Sequence, residues 1–242
     1  MKVIRNRYLR WLVFSLEQYR QRYQFEGNEK DALHFVGDNS DIEKINQFQF
    51  LIDVGLKPHH KFLDLACGCL RGTIDVIDYL DSDNFYGVDI SEGLIYQAFK
   101  RCHAHGVKNT PNLFINSDFA FDVLLKCKFD FILSVSLLTH LLPHNIPEFF
   151  YGVSQILNSD GVFYFTMYPV EDKDKFFEGD IEVARYNKDF LKQVAKEYGL
   201  IIEDIEGDYP NPVESNIYLK RVNVKNMGQW VMKARLKKWG DR

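Results

Sequence analysis

Apolar positions in the first part of the chain recur at helical spacing. Leu9, Leu12, Val13, Leu16, Tyr19 and Tyr23 share one face, so the opening segment is predicted to be an amphipathic helix. A second helix is predicted from the box Ser-Asp-Ile-Glu, where Ser40 and Glu43 can satisfy each other's backbone donors. It runs through Ile45, Phe48 and Ile52 and stops at Gly55, with Pro58 beyond. From residue 61 the period changes. Strand patterns at 61–66, 85–89, 113–116, 129–135 and 161–167 are interleaved with helical patterns at 72–80, 91–104 and 145–157. Runs such as Phe-Asp-Phe-Ile-Leu-Ser-Val are apolar on both faces, as in strands covered by helices on either side. The pattern predicts a doubly wound α/β fold around a parallel sheet.

A further helix is predicted at 187–198, ending on Gly199. The runs Leu-Ile-Ile-Glu-Asp-Ile-Glu-Gly and Ser-Asn-Ile-Tyr-Leu-Lys-Arg-Val follow, separated by a short polar stretch without a helix. Two strands joined in that way form a hairpin, which closes the sheet with an antiparallel edge strand. Beyond it Met227, Trp230, Val231 and Ala234 fall at helical spacing among lysines and arginines, which predicts a basic tail or helix at 226–242. The expected organisation is therefore a helical cap at 1–56, a ligand-binding α/β domain at 57–225 and the basic tail.

Composition narrows the partners. With 46% apolar and 15% aromatic residues in 242, the chain can bury a large core. Its net charge of -4 argues against wholesale nucleic-acid binding, which needs a strongly basic face. Cys67, Cys69, Cys102 and Cys127 form no C-x-x-C pair and match no histidine spacing, so no metal site is expected and reduced thiols in a cytoplasmic protein fit best. The opening residues imitate a signal peptide, but the apolar run from Trp11 to Leu16 is short and no small-residue cleavage site follows it. No window is long enough for stable membrane insertion. A homodimer is an open expectation.

The chemistry gathers at the strand ends, because ligands of open α/β sheets bind beyond the carboxyl edge. The first strand leads into Asp64-Leu65-Ala66-Cys67-Gly68, the second into Asp89 and Ile90, the third toward Asp118, and the fourth into Ser134 and Val135. An acid closing the second strand stands where two ribose hydroxyls are accepted, so a nucleoside ligand is implied. A dinucleotide would need a G-x-G-x-x-G seat for its pyrophosphate, and the loop reads Ala-Cys-Gly-Cys-Leu-Arg instead. A phosphate-free nucleoside such as S-adenosylmethionine needs only small residues beneath its methionine part.

At these motifs the chain resembles the class I S-adenosylmethionine-dependent methyltransferases. Phe-Leu-Asp-Leu-Ala-Cys-Gly-Cys-Leu-Arg-Gly looks like their first motif and Tyr-Gly-Val-Asp-Ile-Ser like their second. The third corresponds to Ile-Asn-Ser-Asp-Phe-Ala, and the last two to the segments at 129–141 and 157–168. The resemblance covers about residues 45–225 and implies a Rossmann-like sheet of seven strands with an antiparallel last strand. It also implies that Ala66, Cys67 and Gly68 approach the methionine moiety of S-adenosyl-L-methionine and that Asp64 orients its amino group. Asp89 with Ile90 would hold the ribose, Asp118 and Phe119 would flank the adenine, and Ser134 and Val135 would line the cofactor near its sulfur. Glycine is usual in that family where this chain has Ala66 and Leu70. The extra methyl group of Ala66 is tolerable if that residue has a φ below zero. Arg71 can pair with the cofactor carboxylate or a nearby acid, and Gln47 and Gln49 can reach over the cofactor or face water.

Methyl transfer from a sulfonium is a direct displacement that depends mainly on alignment. A hydroxyl acceptor also benefits from a general base, and His140 and His144 beyond the fourth strand are the candidates. Tyr168, Phe176 and Tyr209, from the segments after the fifth strand and the expected hairpin, are candidate walls of a small-molecule pocket. The expected reaction is O-methylation of a sugar or sugar-nucleotide. Alternatives are a protein or nitrogen acceptor, or a catalytically silent subunit that binds the cofactor for a partner.

Overall fold

The computed structural model describes Gln24, Glu26 and residues 47–122, 124, 126–203, 229–238, 240 and 241. The predicted first helix, the Ser40 capping box and the strand at 215–222 lie outside the described residues. The second predicted helix is seen from Gln47 to Asp53 as α1. The chain then runs β1 (Phe62–Leu65), α2 (Ile74–Tyr79), β2 (Phe85–Asp89), α3 (Glu92–Ala104), β3 (Asn112–Ile115) and β4 (Phe129–Ser134). A 3₁₀ turn at Leu138–His140 leads to α4 (Ile146–Ile156) and the long β5 (Leu157–Pro169). The short strands β6 (Phe177–Gly179) and β7 (Ala184–Tyr186) precede α5 (Lys188–Glu197), β8 (Leu200–Glu203) and β9 (Trp230–Leu236).

The main sheet has the order β3-β2-β1-β4-β5-β9-β8. β1 to β5 are mutually parallel, and β9 runs antiparallel between β5 and β8. This is a seven-stranded Rossmann-like sheet with its last strand antiparallel. The sequence reading is corrected at one segment: residues 230–236 are a strand and not part of a basic helix, and β9 lies inside the sheet between β5 and β8. Phe163 pairs with Ala234 and Ile202 also pairs with Ala234, so β9 is bonded on both sides. β6 and β7 form an antiparallel hairpin whose β7 adds to the end of β5 through Tyr168 and Pro169.

The central strands β1, β2 and β4 bury both faces, as their apolar runs require. Leu63, Leu65 and Ile132 enter one core with Phe149, Phe150 and Val153 of α4. Phe62, Phe131 and Leu133 enter the other with Val76, Ile77, Ile95 and Ala98 of α2 and α3. After β3 the chain returns to the far side of β1, so the crossovers diverge between β1 and β4. A crevice opens at such a point.

Candidate active site

A cleft of about 510 Å³ lies at this crevice. Its floor is the loop after β1. Ala66 N–H and Cys67 N–H both donate to Val88 O, at 2.9 and 3.0 Å, which holds the loop against β2. The loop takes left-handed backbone at alternate residues, with φ of 70° at Ala66, 54° at Gly68 and 60° at Leu70. Ala66 therefore does not meet the condition of a negative φ. Only glycine adopts this region without a Cβ penalty, so two of the three positions carry strain. Leu70 offsets it by complete burial in the α2 and α3 core.

Two buried carboxylates face the cleft. Asp89 Oδ2 accepts Gly68 N–H at 2.8 Å, and Asp89 Oδ1 accepts Ser91 N–H at 2.9 Å. Ser91 itself caps α3 by accepting Leu94 N–H, so Asp89 is not used as that cap. Burial pushes the Asp89 carboxyl above its ordinary range, against the pull of its backbone donors. Asp64 Oδ2 accepts the Thr73 hydroxyl at 2.5 Å, which diverts Thr73 from capping α2. Burial raises Asp64 to about 7, with the Thr73 bond opposing this and the charge of Asp89 adding to it.

Most of the other expected cofactor residues border the same cleft: Cys67, Arg71, Ile90, Asp118, Phe119 and Val135. Asp118 Oδ1 accepts Ala120 N–H at 3.0 Å, and Phe119 packs edge-on against Phe149 of the core. The thiol of Cys67 is pushed well up by burial, so it is a packing group and not a nucleophile. Ser134 departs from the expectation: it is fully buried, its hydroxyl has no hydrogen-bond partner, and it does not border the cleft. Gln47 does border it, while Gln49 bonds Asp53 on the exposed face of α1. A side chain at Gly72 would lie 2.2 Å from the Gln47 amide, so Gly72 makes room for Gln47. Gln24, from the segment before α1, donates to Ile90 O at 3.1 Å at the rim.

At the other end the cleft meets His140, Tyr168, Glu182, Val183 and Gln229. His140 sits on the 3₁₀ turn, with Nδ1 at 3.1 Å from Ile181 O. Tyr168 lies under the Arg185 guanidinium, 5.4 Å from ring centre to cation. Gln229 donates to Ser136 Oγ at 2.9 Å, which brings the start of β9 to the site. Two expected residues are not brought to the cleft. His144 lies away from the cleft, with burial lowering its pKa. Phe176 is 55% exposed and packs on Phe190, and Tyr209 lies outside the described residues. Among the described residues no group of histidine, cysteine and carboxylate side chains could hold a metal ion, and no helix is long and apolar enough to cross a membrane.

Sequence reasoning passed over Glu182, Val183 and Gln229. For the first two, Gly179 was the available signal: its φ is 95° and a side chain there would strike Val183 O at 1.9 Å, as in a tight hairpin.

An open sheet with a crevice at its switch point and an acid closing its second strand defines a nucleoside-binding α/β domain. Residues 63–163 match the family model described as a methyltransferase domain, and the chain shares its fold with solved S-adenosylmethionine-dependent methyltransferases. It is similar in fold to the CcbJ methyltransferase of Streptomyces caelestis, at 15% identity over 86% of this chain and 96% of that one, with a TM-score of 0.62. A S-adenosylmethionine-dependent methyltransferase from Clostridium acetobutylicum ATCC 824 gives 0.59 at 17% identity, over 82% and 94%. Magnesium protoporphyrin IX methyltransferase from Synechocystis PCC 6803, solved with bound SAH, gives 0.59 at 15% identity, over 93% and 95%.

Proposed function

We propose that the protein transfers a methyl group from S-adenosylmethionine to a hydroxyl of a small molecule, with a sugar or sugar-nucleotide as the leading acceptor. One observation carries the reading: a single cleft joins the buried carboxylates of β1 and β2 to a histidine, a tyrosine and the hairpin tip. The residues present fit the cofactor. Asp89 accepts backbone N–H groups on both oxygens, and a carboxylate with about four lone-pair sites keeps acceptor capacity for ribose hydroxyls. Asp64 supplies a carboxylate for an amino group, Phe119 an apolar surface for a base, and the loop at Gly68 a close backbone approach. The cofactor supplies an activated methyl group on a sulfonium.

The chain's own residues then align the acceptor and handle its proton. Tyr168 offers an aromatic face, and Glu182 and Gln229 offer polar groups, a combination that suits a polyhydroxylated ring. His140 would take the proton of the acceptor hydroxyl. The acid-rich composition and small cleft favour such an acceptor over nucleic acid. A cytoplasmic location is part of the same proposal.

Titration calorimetry tests the cofactor: S-adenosylmethionine and its demethylated product should each bind without added metal. Incubation with a panel of sugar nucleotides, followed by release of the demethylated product, tests the acceptor class. Binding of NAD in place of S-adenosylmethionine overturns the reading.

A further inference from the structure

The β6–β7 hairpin is bonded to the turn after β4. His140 Nδ1 lies 3.1 Å from Ile181 O, and the Tyr186 hydroxyl donates to Leu141 O at 2.6 Å. A carbonyl oxygen can only accept, so the first bond requires a proton on His140 Nδ1. In a neutral imidazole the lone pair then belongs to Nε2. The ring borders the cleft, so the carbonyl of Ile181 decides which nitrogen can take a proton there.

The hairpin tip is itself held by one side chain. Asp180 Oδ1 accepts the N–H groups of Glu182 and Val183 at 2.7 and 3.3 Å, which closes the turn between Gly179 and Ala184. Such a turn fixes the peptide between Asp180 and the N–H groups that donate to it, and the Ile181 carbonyl lies within it. Asp180 is exposed and does not border the cleft. We infer that Asp180 is a positioning residue: it orients the Ile181 carbonyl, which holds His140 as the Nδ1–H tautomer with Nε2 as the proton acceptor. The inference rests on the proposed role of His140. It makes the hairpin part of the base and not only a wall of the pocket.

The tautomer can be read without turnover. Two-bond ¹H–¹⁵N spectra of the histidine rings in the full-length protein, with the His140 signal assigned from its loss in His140→Asn, should show Nδ1 protonated and Nε2 bare. Asp180→Ala should weaken that preference and lower kcat at least about fivefold, with unchanged affinity for S-adenosylmethionine. Asp180→Asn keeps the Oδ1 acceptor and should restore both the spectrum and kcat. A wild-type ring protonated on Nε2 overturns the inference. So does a spectrum and kcat in Asp180→Ala that match the wild type, or an Asp180→Asn variant as impaired as Asp180→Ala. If the Nδ1–H form is seen but His140→Asn turns over normally, the tautomer stands and the proposed base falls.

Discussion

Asp89 Oδ2 accepts the backbone N–H of Gly68 at 2.8 Å, so the acid closing β2 is bonded to the loop that closes β1. The same carboxylate therefore shapes the cleft floor and presents acceptors to a ligand. These duties separate on mutation. Asp89→Ala removes charged hydrogen bonds to the ribose, each worth roughly 1.5–3 kcal/mol, and should weaken S-adenosylmethionine binding at least about tenfold by calorimetry. It also frees the Gly68 and Ser91 N–H groups, so the urea midpoint should fall. Asp89→Asn keeps one acceptor oxygen and should lie between the two. An unchanged affinity in Asp89→Ala would move the ribose contact elsewhere.

Asp64 predicts a pH dependence of stability opposite to that of a surface acid. Its carboxyl is raised from 3.8 to about 7 in the folded protein, chiefly by burial. Between those values the folded state holds a proton that the unfolded state has lost, so stability declines as pH rises through that window. Below it both states are protonated, and above it the full cost of a buried charge is present. Asp64→Asn abolishes this titration. Measured by urea denaturation of the free protein, the variant should gain on the wild type as pH rises from about 4 to about 8. Parallel curves would show that Asp64 is ionised throughout.

The floor loop makes a contrast between two glycine substitutions. Ala66 and Leu70 both have left-handed φ, so glycine relieves strain at either position. Ala66→Gly removes only a methyl group and should leave stability unchanged or raise it by up to about 1 kcal/mol. Leu70 is fully buried, and Leu70→Gly should cost about 2–4 kcal/mol net, because the lost packing exceeds the relief. Denaturation midpoints decide it. Equal effects at both positions would mean that backbone strain dominates.

The parts that the sequence disclosed are those where local pattern and burial coincide. Phe85–Asp89 and Phe129–Ser134 are apolar on both faces, so the strands and the residues at their carboxyl ends could be placed. Trp230–Leu236 defeated the same reading because seven residues satisfy two periods at once. Trp230, Met232, Ala234 and Leu236 alternate as a strand, while Trp230, Val231 and Ala234 also fit a helix. Pairing with the distant Phe163 and Ile202 decides between them, and such a contact has no local signature. The hairpin at 177–186 was missed for a related reason: three-residue strands are too short to show a period. His140 and His144 were indistinguishable as letters, since only the 3₁₀ turn at 138–140 brings one of them to the cleft and leaves the other outside.

His140 can be tested without losing the hairpin, because asparagine retains an N–H donor close to the place of Nδ1. His140→Asn can still donate to Ile181 O, so the hairpin tip should stay docked and the melting temperature should move little. What asparagine lacks is a basic nitrogen. If His140 takes the acceptor's proton, turnover should fall by roughly a hundredfold or more, with S-adenosylmethionine affinity intact. His140→Ala removes the donor as well, so it should add easier proteolytic cleavage at the 180–183 tip to the same loss of turnover. Alignment alone can carry methyl transfer to an amine or to an already ionised hydroxyl, and such an acceptor would leave His140→Asn as fast as the wild type. That result would return His140 to a docking role for the hairpin, with no part in proton transfer.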